Sequence, residues 1–190
     1  MYNKKDISVK EKKKNRGFRR YFLYLLIVLL FCALQFTDGL FPKIFGCSFF
    51  LTVPLIISIG MFDYELSGAV FGLIAGAYSD FMSAGPDGIG ALFMTAAGCV
   101  SGLLLRYYMM NKIKTFFLLS SAATFLYAFF SWFFDSWMPV GDKNLVRFLT
   151  YYLPSAIITV LFSFITYYIV KAVHEKFTDD KEESDILRMR

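Results

Sequence analysis

The amino-acid sequence predicts an all-α integral membrane protein with about six transmembrane helices and with both termini in the cytosol. Apolar and aromatic residues make up 57% of the chain and charged residues only 18%, against roughly 25% charged residues in soluble domains. Of the 20 Lys and Arg residues, nine fall within residues 1–20 and five lie beyond Val170. The excess of basic residues therefore lies in the cytosolic segments at the two ends of the chain, and no nucleic-acid partner is expected.

Six uncharged stretches predict the spans. A helix needs roughly 20 residues to cross a hydrocarbon core of about 30 Å. Five stretches come close to that length or exceed it, whereas the third must take Asp80 into the membrane or fail to cross. The domains are then a basic cytosolic head at 1–20, a six-span domain at 21–171 and a charged cytosolic tail at 172–190. The stretches are Tyr21–Thr37, Ile44–Phe62, Leu66–Ser79, Gly88–Leu105, Thr115–Phe134 and Phe148–Val170.

The distribution of Lys and Arg predicts the orientation of these spans, because cytosolic loops carry an excess of both residues. With six spans and a cytosolic N-terminus, the cytosolic segments hold 17 of them and the outer loops hold three: Lys43, Lys143 and Arg147. A re-entrant third stretch would move Arg106 and the whole basic tail to the outer side. Six crossings therefore fit the sequence better.

Glycines at a spacing of four residues predict a tight contact between helices. Gly68, Gly72 and Gly76 fall on one helix face, and Gly98 and Gly102 form a similar face on the next predicted helix. In lipid, small residues matter because they allow two backbones to approach closely. The sequence leaves open whether this seam lies within the chain or forms with a partner.

Asp80 continues the glycine face and opens a turn that is rich in helix breakers. An ionisable group at membrane depth is costly and faces protein or a water-filled cavity. One interpretation is an interfacial cap, in which Asp80 and Asp87 bind outer water and free backbone N–H groups. The other is a polar anchor that shapes the outer loop for a partner or ligand.

Pro54 lies inside the second predicted span, where proline should kink or break a helix. We then expect the stretch Ile44–Phe62 to form a short segment that dips into the membrane, joined to a kinked transmembrane helix.

The sequence predicts no catalytic, cofactor-binding or metal-binding residues, so we expect a protein that is not an enzyme. There is no Walker loop and no nucleophile elbow, and the single histidine, His174, lies beyond the last span. The basic residues of the head are either a topology signal or contacts for anionic lipid or a partner. Those residues are Lys12, Lys13, Lys14, Arg19 and Arg20.

The order of these features resembles the rod shape-determining protein MreD family. The features are a basic head, a second span with Pro54, the segment Gly68-x3-Gly72-Leu-Ile-Ala-Gly76-Ala-Tyr-Ser-Asp80, and a glycine-rich turn that enters Gly90-Ala-Leu. The resemblance implies a non-enzymatic scaffold in the bacterial cytoplasmic (inner) membrane. It also implies membrane lipids and MreC as partners and, through MreC, MreB, RodA and a class B penicillin-binding protein of peptidoglycan synthesis.

Two other functions compete with this interpretation. The alternative is the substrate-binding S-component of an energy-coupling factor vitamin transporter, another small six-span protein without its own ATPase. Such subunits present an Ala-x3-Ala face on the first span, and the segment Leu29–Phe36 lacks one. A channel or proton-coupled carrier would need more intramembrane ionisable residues than Asp80.

Overall fold

Six α-helices account for most of the chain in the computed structural model, which describes residues 4–37, 50–83, 88–108, 113–137, 146 and 148–177. A π-helical turn at Phe148–Tyr152 leads into the last helix, and the described residues contain no strand. The helices are α1 (Lys4–Phe36), α2 (Thr52–Phe62), α3 (Glu65–Met82), α4 (Ile89–Tyr107), α5 (Ile113–Trp137) and α6 (Leu153–Phe177).

Four segments of these helices are long and apolar enough to cross a membrane, which establishes an all-α membrane protein. They are Phe18–Phe36, Ile89–Tyr107, Ile113–Phe134 and Phe148–Lys176. The number of crossings and the side of the membrane on which the termini lie stay predictions.

Helix α2 occupies the centre of the bundle. Its sequence, TVPLIISIGMF, is apolar on every face, and a helix of that composition is stable only when protein or lipid surrounds it. Every residue from Thr52 to Met61 is buried, and the helix contacts α1, α3, α4, α5 and α6. The other helices therefore assemble around α2.

The second predicted span differs from this helix. Instead of a crossing over Ile44–Phe62, the structure has an α2 of 11 residues, about 16 Å long at 1.5 Å per residue. Residues 38–49 lie outside the described part of the chain. Pro54 is the third residue of α2, in the first turn, where its missing N–H has no intrahelical partner. The proline therefore stands at the start of the helix and does not interrupt it.

The third predicted span, 14 residues from Leu66 to Ser79, is longer in the structure. Helix α3 has 18 residues and takes in both Glu65 and Asp80, which makes it about 27 Å long. It runs antiparallel to α4, and these two helices make the most extensive contact in the bundle. Asp80 thus lies in the last turn of α3; whether this helix crosses the membrane stays a prediction.

The predicted head and tail join the bundle through helices. Helix α1 continues without a break across the boundary at residue 20, and α6 runs to Phe177. The side chains of Lys12, Lys13 and Lys14 lie outside the described part of the structure, as do residues 178–190.

Candidate functional site: the glycine seam and its polar ends

Asp80 caps the N-terminus of α4. Its Oδ1 accepts a hydrogen bond from the Gly90 N–H and its Oδ2 accepts one from the Ala91 N–H, both at 2.8 Å. The first N–H groups of a helix have no intrahelical partner, and the helix dipole favours a negative charge beside them. Gly88 precedes the helix with a φ of 89°, a left-handed conformation that favours glycine. Asp80 therefore binds backbone groups of its own chain; Asp87 lies outside the described residues.

The glycines of α3 lie directly against the backbone of α4. A Cβ atom added to Gly72 would collide with the carbonyl oxygen of Met94 and lie 2.8 Å from its carbon. One added to Gly76 would collide with the Cα of Ala91 and lie 2.5 Å from the carbonyl oxygen of Gly90. Because backbone atoms cannot rotate away as side chains do, both positions require glycine. The predicted seam therefore lies within the chain.

Three helices meet at a junction of glycines, Gly60 of α2, Gly68 of α3 and Gly98 of α4. A Cβ added to either Gly60 or Gly68 would lie 2.5 Å from the carbonyl oxygen of Gly98. A Cβ on Gly68 would also lie 2.8 Å from the Cα of Gly60. Gly60 was not predicted, because no second glycine follows it at helical spacing in α2. The signal that could have identified it is a lone glycine among the large aliphatic residues of a strongly apolar helix.

The opposite end of the seam closes with an ion pair. A Cβ on Gly102 would lie 2.6 Å from the Cα of Glu65, so the first turn of α3 packs against the last turns of α4. Arg106, one turn after Gly102, places Nη1 at 2.6 Å from Oε1 of Glu65. The side chain of Arg106 is about half exposed, so solvent screens this pair.

A second ion pair joins α1 to the end of α2 and was not predicted. Arg20 Nη2 lies 2.8 Å from Asp63 Oδ1, with 14% of the arginine side chain and 1% of the aspartate side chain exposed. The sequence left Arg20 as either a topology signal or a contact for lipid or a partner; in the structure its guanidinium pairs with Asp63, since a buried carboxylate needs a cation beside it. Its neighbour Arg19 is exposed.

Helix α1 is also tied to the other end of α2. The backbone N–H and the hydroxyl of Thr52 both donate hydrogen bonds to Oε1 of Gln35, at 3.3 and 3.0 Å. The first N–H groups of a helix have no acceptor within the helix, and the Gln35 side chain supplies one for Thr52. Pro54, two residues later, has no N–H and needs no acceptor. Pro54 is itself buried, and its carbonyl accepts a hydrogen bond from the Ser58 hydroxyl.

The contact between α5 and α6 is built from rings and hydroxyls. Phe116 packs on Tyr167 with 5.0 Å between ring centroids, and Trp132 packs at 5.2 Å on Phe148, which lies in the π-helical turn that leads into α6. Buried hydroxyl residues line both helices between these ring pairs. They are Ser120 and Thr124 on α5 and Ser155, Thr159, Ser163 and Thr166 on α6.

The hydroxyls of α6 bind their own helix. Each of Ser155, Thr159, Ser163 and Thr166 donates a hydrogen bond to a backbone carbonyl three or four residues earlier. Thr159 Oγ1 also accepts a bond from the backbone N–H of Phe50, which precedes α2. Helix α6 thereby holds the residue that leads into the central helix.

Helices α2, α3 and α4 form one closely packed unit, because glycines bring their backbones together and the charged side chains at their ends are paired. The described residues contain no group of three or more His, Cys, Asp or Glu side chains that could hold a metal ion. What this geometry provides is close helix packing, with each acid of the unit bound to a specific donor. Comparisons of the chain with protein-family models, with curated proteins and with solved structures found no match.

Proposed function

We propose that this protein is a non-enzymatic scaffold of the bacterial inner membrane that acts through helix contacts with partner membrane proteins of the cell-elongation machinery. One observation carries the proposal. Among the described residues 50–83 and 88–108, every Asp, Glu, Lys and Arg side chain binds another group of the chain. The charges of this unit stabilise its own packing, which leaves its apolar outer surface as the part available to other molecules.

That outer surface is a row of large aliphatic and aromatic side chains. On α3 it includes Leu66, 72% exposed, and Leu73, 53% exposed; on α4 it includes Leu92, 74% exposed. Interhelical contact in lipid depends on shape and close packing. A rigid unit held by backbone contacts presents such a surface in one fixed shape, which a partner helix can recognise.

The choice of machinery rests on the resemblance to the MreD family. The segment from Pro54 to Arg106, which carries the resemblance, is also the segment that folds into the closely packed unit. Under this proposal the direct partner is MreC, and MreB, RodA and a class B penicillin-binding protein assemble through it.

Depletion of the protein in a rod-shaped host tests the proposal at the level of the cell. We expect cells to round or swell, and expression of the wild-type chain should restore the rod. Unchanged shape in a host without a second copy would contradict the proposed machinery.

Photocrosslinking tests the contact surface itself. A photoreactive residue at Leu73, on the outer face of α3, should give adducts with MreC or another wall-synthesis protein. The matched control is Leu118, an exposed leucine of α5 that lies outside this surface and should give adducts with lipid only. Adducts with lipid alone at Leu73 would contradict a scaffold role for this face. A purified protein that retains a small molecule at nanomolar affinity would favour the vitamin-transporter subunit.

A further inference from the structure

A cluster of three polar side chains lies buried between α1 and the end of α2. Arg20 pairs with Asp63, and Tyr24 follows Arg20 by one helical turn on the same face of α1. The Tyr24 ring packs edge-on against Phe71 of α3, with 5.9 Å between centroids. Residues four apart on a helix are neighbours, so the Tyr24 side chain lies beside that of Arg20.

Each of the three side chains has a polar atom that the ion pair does not use. Arg20 Nε, Tyr24 Oη and Asp63 Oδ2 are buried and have no hydrogen-bond partner among the residues that the structure describes. A buried polar atom left without a partner costs about 1–3 kcal/mol, and more if it is charged. Arg20 and Asp63 are paired, and Tyr24 lies one helical turn from Arg20 on the same face of α1. Three such atoms in one buried cluster indicate that a further molecule binds them.

The chemistry of the three atoms defines that molecule. Arg20 Nε is a donor, Asp63 Oδ2 an acceptor, and the Tyr24 hydroxyl both donates and accepts. The guanidinium disfavours a cation and the carboxylate disfavours an anion, so the ligand is neutral. Tyr24 is 0% exposed and Asp63 1%, so the ligand is also small.

We propose that Arg20, Tyr24 and Asp63 form a binding site for an ordered water molecule. Buried waters make about three hydrogen bonds to otherwise unsatisfied polar groups, and this cluster offers three atoms of suitable kind. Water enters beside Arg20, whose side chain is the most exposed of the three. The site ties α1 to the packed unit of α2, α3 and α4, and it does not depend on the proposed scaffold function.

X-ray radiolytic labelling of the wild-type protein in detergent tests the site directly, because hydroxyl radicals generated from a bound water oxidise the side chains beside it. The control is Tyr167, a second buried tyrosine, which is 6% exposed. We expect Tyr24 to be oxidised several-fold faster than Tyr167. Equal rates at the two residues would overturn the proposal.

The variant Tyr24→Phe gives a second test, in which the sign of the change in Tm decides. Removing a hydroxyl that binds water breaks a hydrogen bond and should lower Tm. Removing a hydroxyl that has no partner should raise Tm, because an unsatisfied buried group is lost; a raised or unchanged Tm would overturn the proposal. Tyr168→Phe, on an exposed tyrosine of α6, is the control and should leave Tm unchanged. If Tyr24→Phe does not fold, the labelling of the wild-type protein decides.

Discussion

The α3–α4 contact and the α5–α6 contact hold helices together in opposite ways. Between α3 and α4, glycines bring two backbones into direct contact, and a Cβ on Gly72 already collides with a carbonyl group. Between α5 and α6, the space is filled by large rings such as Phe116 and Tyr167. Lipid provides little hydrophobic force between helices, so both contacts rely on close packing. The first should therefore be sensitive to added atoms and the second to removed atoms.

The largest effect is expected from bulk added to the glycine seam. Gly72→Leu places a side chain where the Met94 backbone lies, so α3 and α4 must separate. We expect little or no folded protein on size-exclusion chromatography in mild detergent. The matched control is Ala77→Leu on the same helix, where the residue is exposed and a larger side chain meets no neighbouring helix. Equal folded yields of the two variants would contradict the seam.

Removal of a large buried side chain should weaken the contact between α5 and α6. Phe116 is fully buried, and Phe→Ala at buried sites costs about 3–5 kcal/mol because a cavity remains. We expect a marked fall in Tm for Phe116→Ala. Phe129→Ala on the exposed side of α5 should change Tm little, and equal falls in the two variants would show that the ring contact does not stabilise α5 against α6.

The buried ion pair should be sensitive to the loss of one partner. Asp63→Asn leaves Arg20 without its counter-charge, and breaking a buried pair in this way costs about 3–5 kcal/mol. The double variant Arg20→Gln, Asp63→Asn removes both charges and should recover part of the lost Tm. Glu65→Gln, which breaks the more exposed pair with Arg106, should cost at most about 1 kcal/mol. Equal falls in Tm for Asp63→Asn and Glu65→Gln would contradict the claim that the buried ion pair contributes more to stability than the exposed one.

The smallest effect is expected at the cap of α4. Asp80→Asn retains one acceptor for the Gly90 and Ala91 N–H groups, loses the other, and removes the charge that favours the helix N-terminus. A loss of about 1 kcal/mol is typical for a weakened N-cap. We therefore expect a small fall in Tm with folded protein retained. An unchanged Tm would show that neither the charge nor the second acceptor contributes to stability.

Helical periodicity made the glycine seam predictable. Gly68, Gly72 and Gly76 share a face because residues four apart lie one above the other on a helix, and this relation needs only local sequence. The position of Asp80 at a helix end followed from the helix-breaking residues of the turn that it opens. What remained open was whether the seam forms within the chain, since that depends on which helices become neighbours.

The parts that were missed depend on contacts between distant segments. Gly60 meets Gly68 and Gly98 only because three helices converge there. Arg20 and Asp63 are separated by a whole span, so neither residue signals its partner locally. The length of α2 was overestimated because an apolar run does not show where a helix starts; Pro54, which fits only the first turn of an uninterrupted helix, was the better indicator.

The Tm of Gly72→Ala tests most directly the claim that backbone contact holds the α2–α4 unit together. At a helix position with free space, Gly→Ala stabilises by about 1 kcal/mol. In the seam the added methyl group meets the Met94 carbonyl, so we predict a lower Tm, and Met94→Ala should not restore it because the obstacle is backbone. A raised Tm in Gly72→Ala, or recovery through Met94→Ala, would contradict the account.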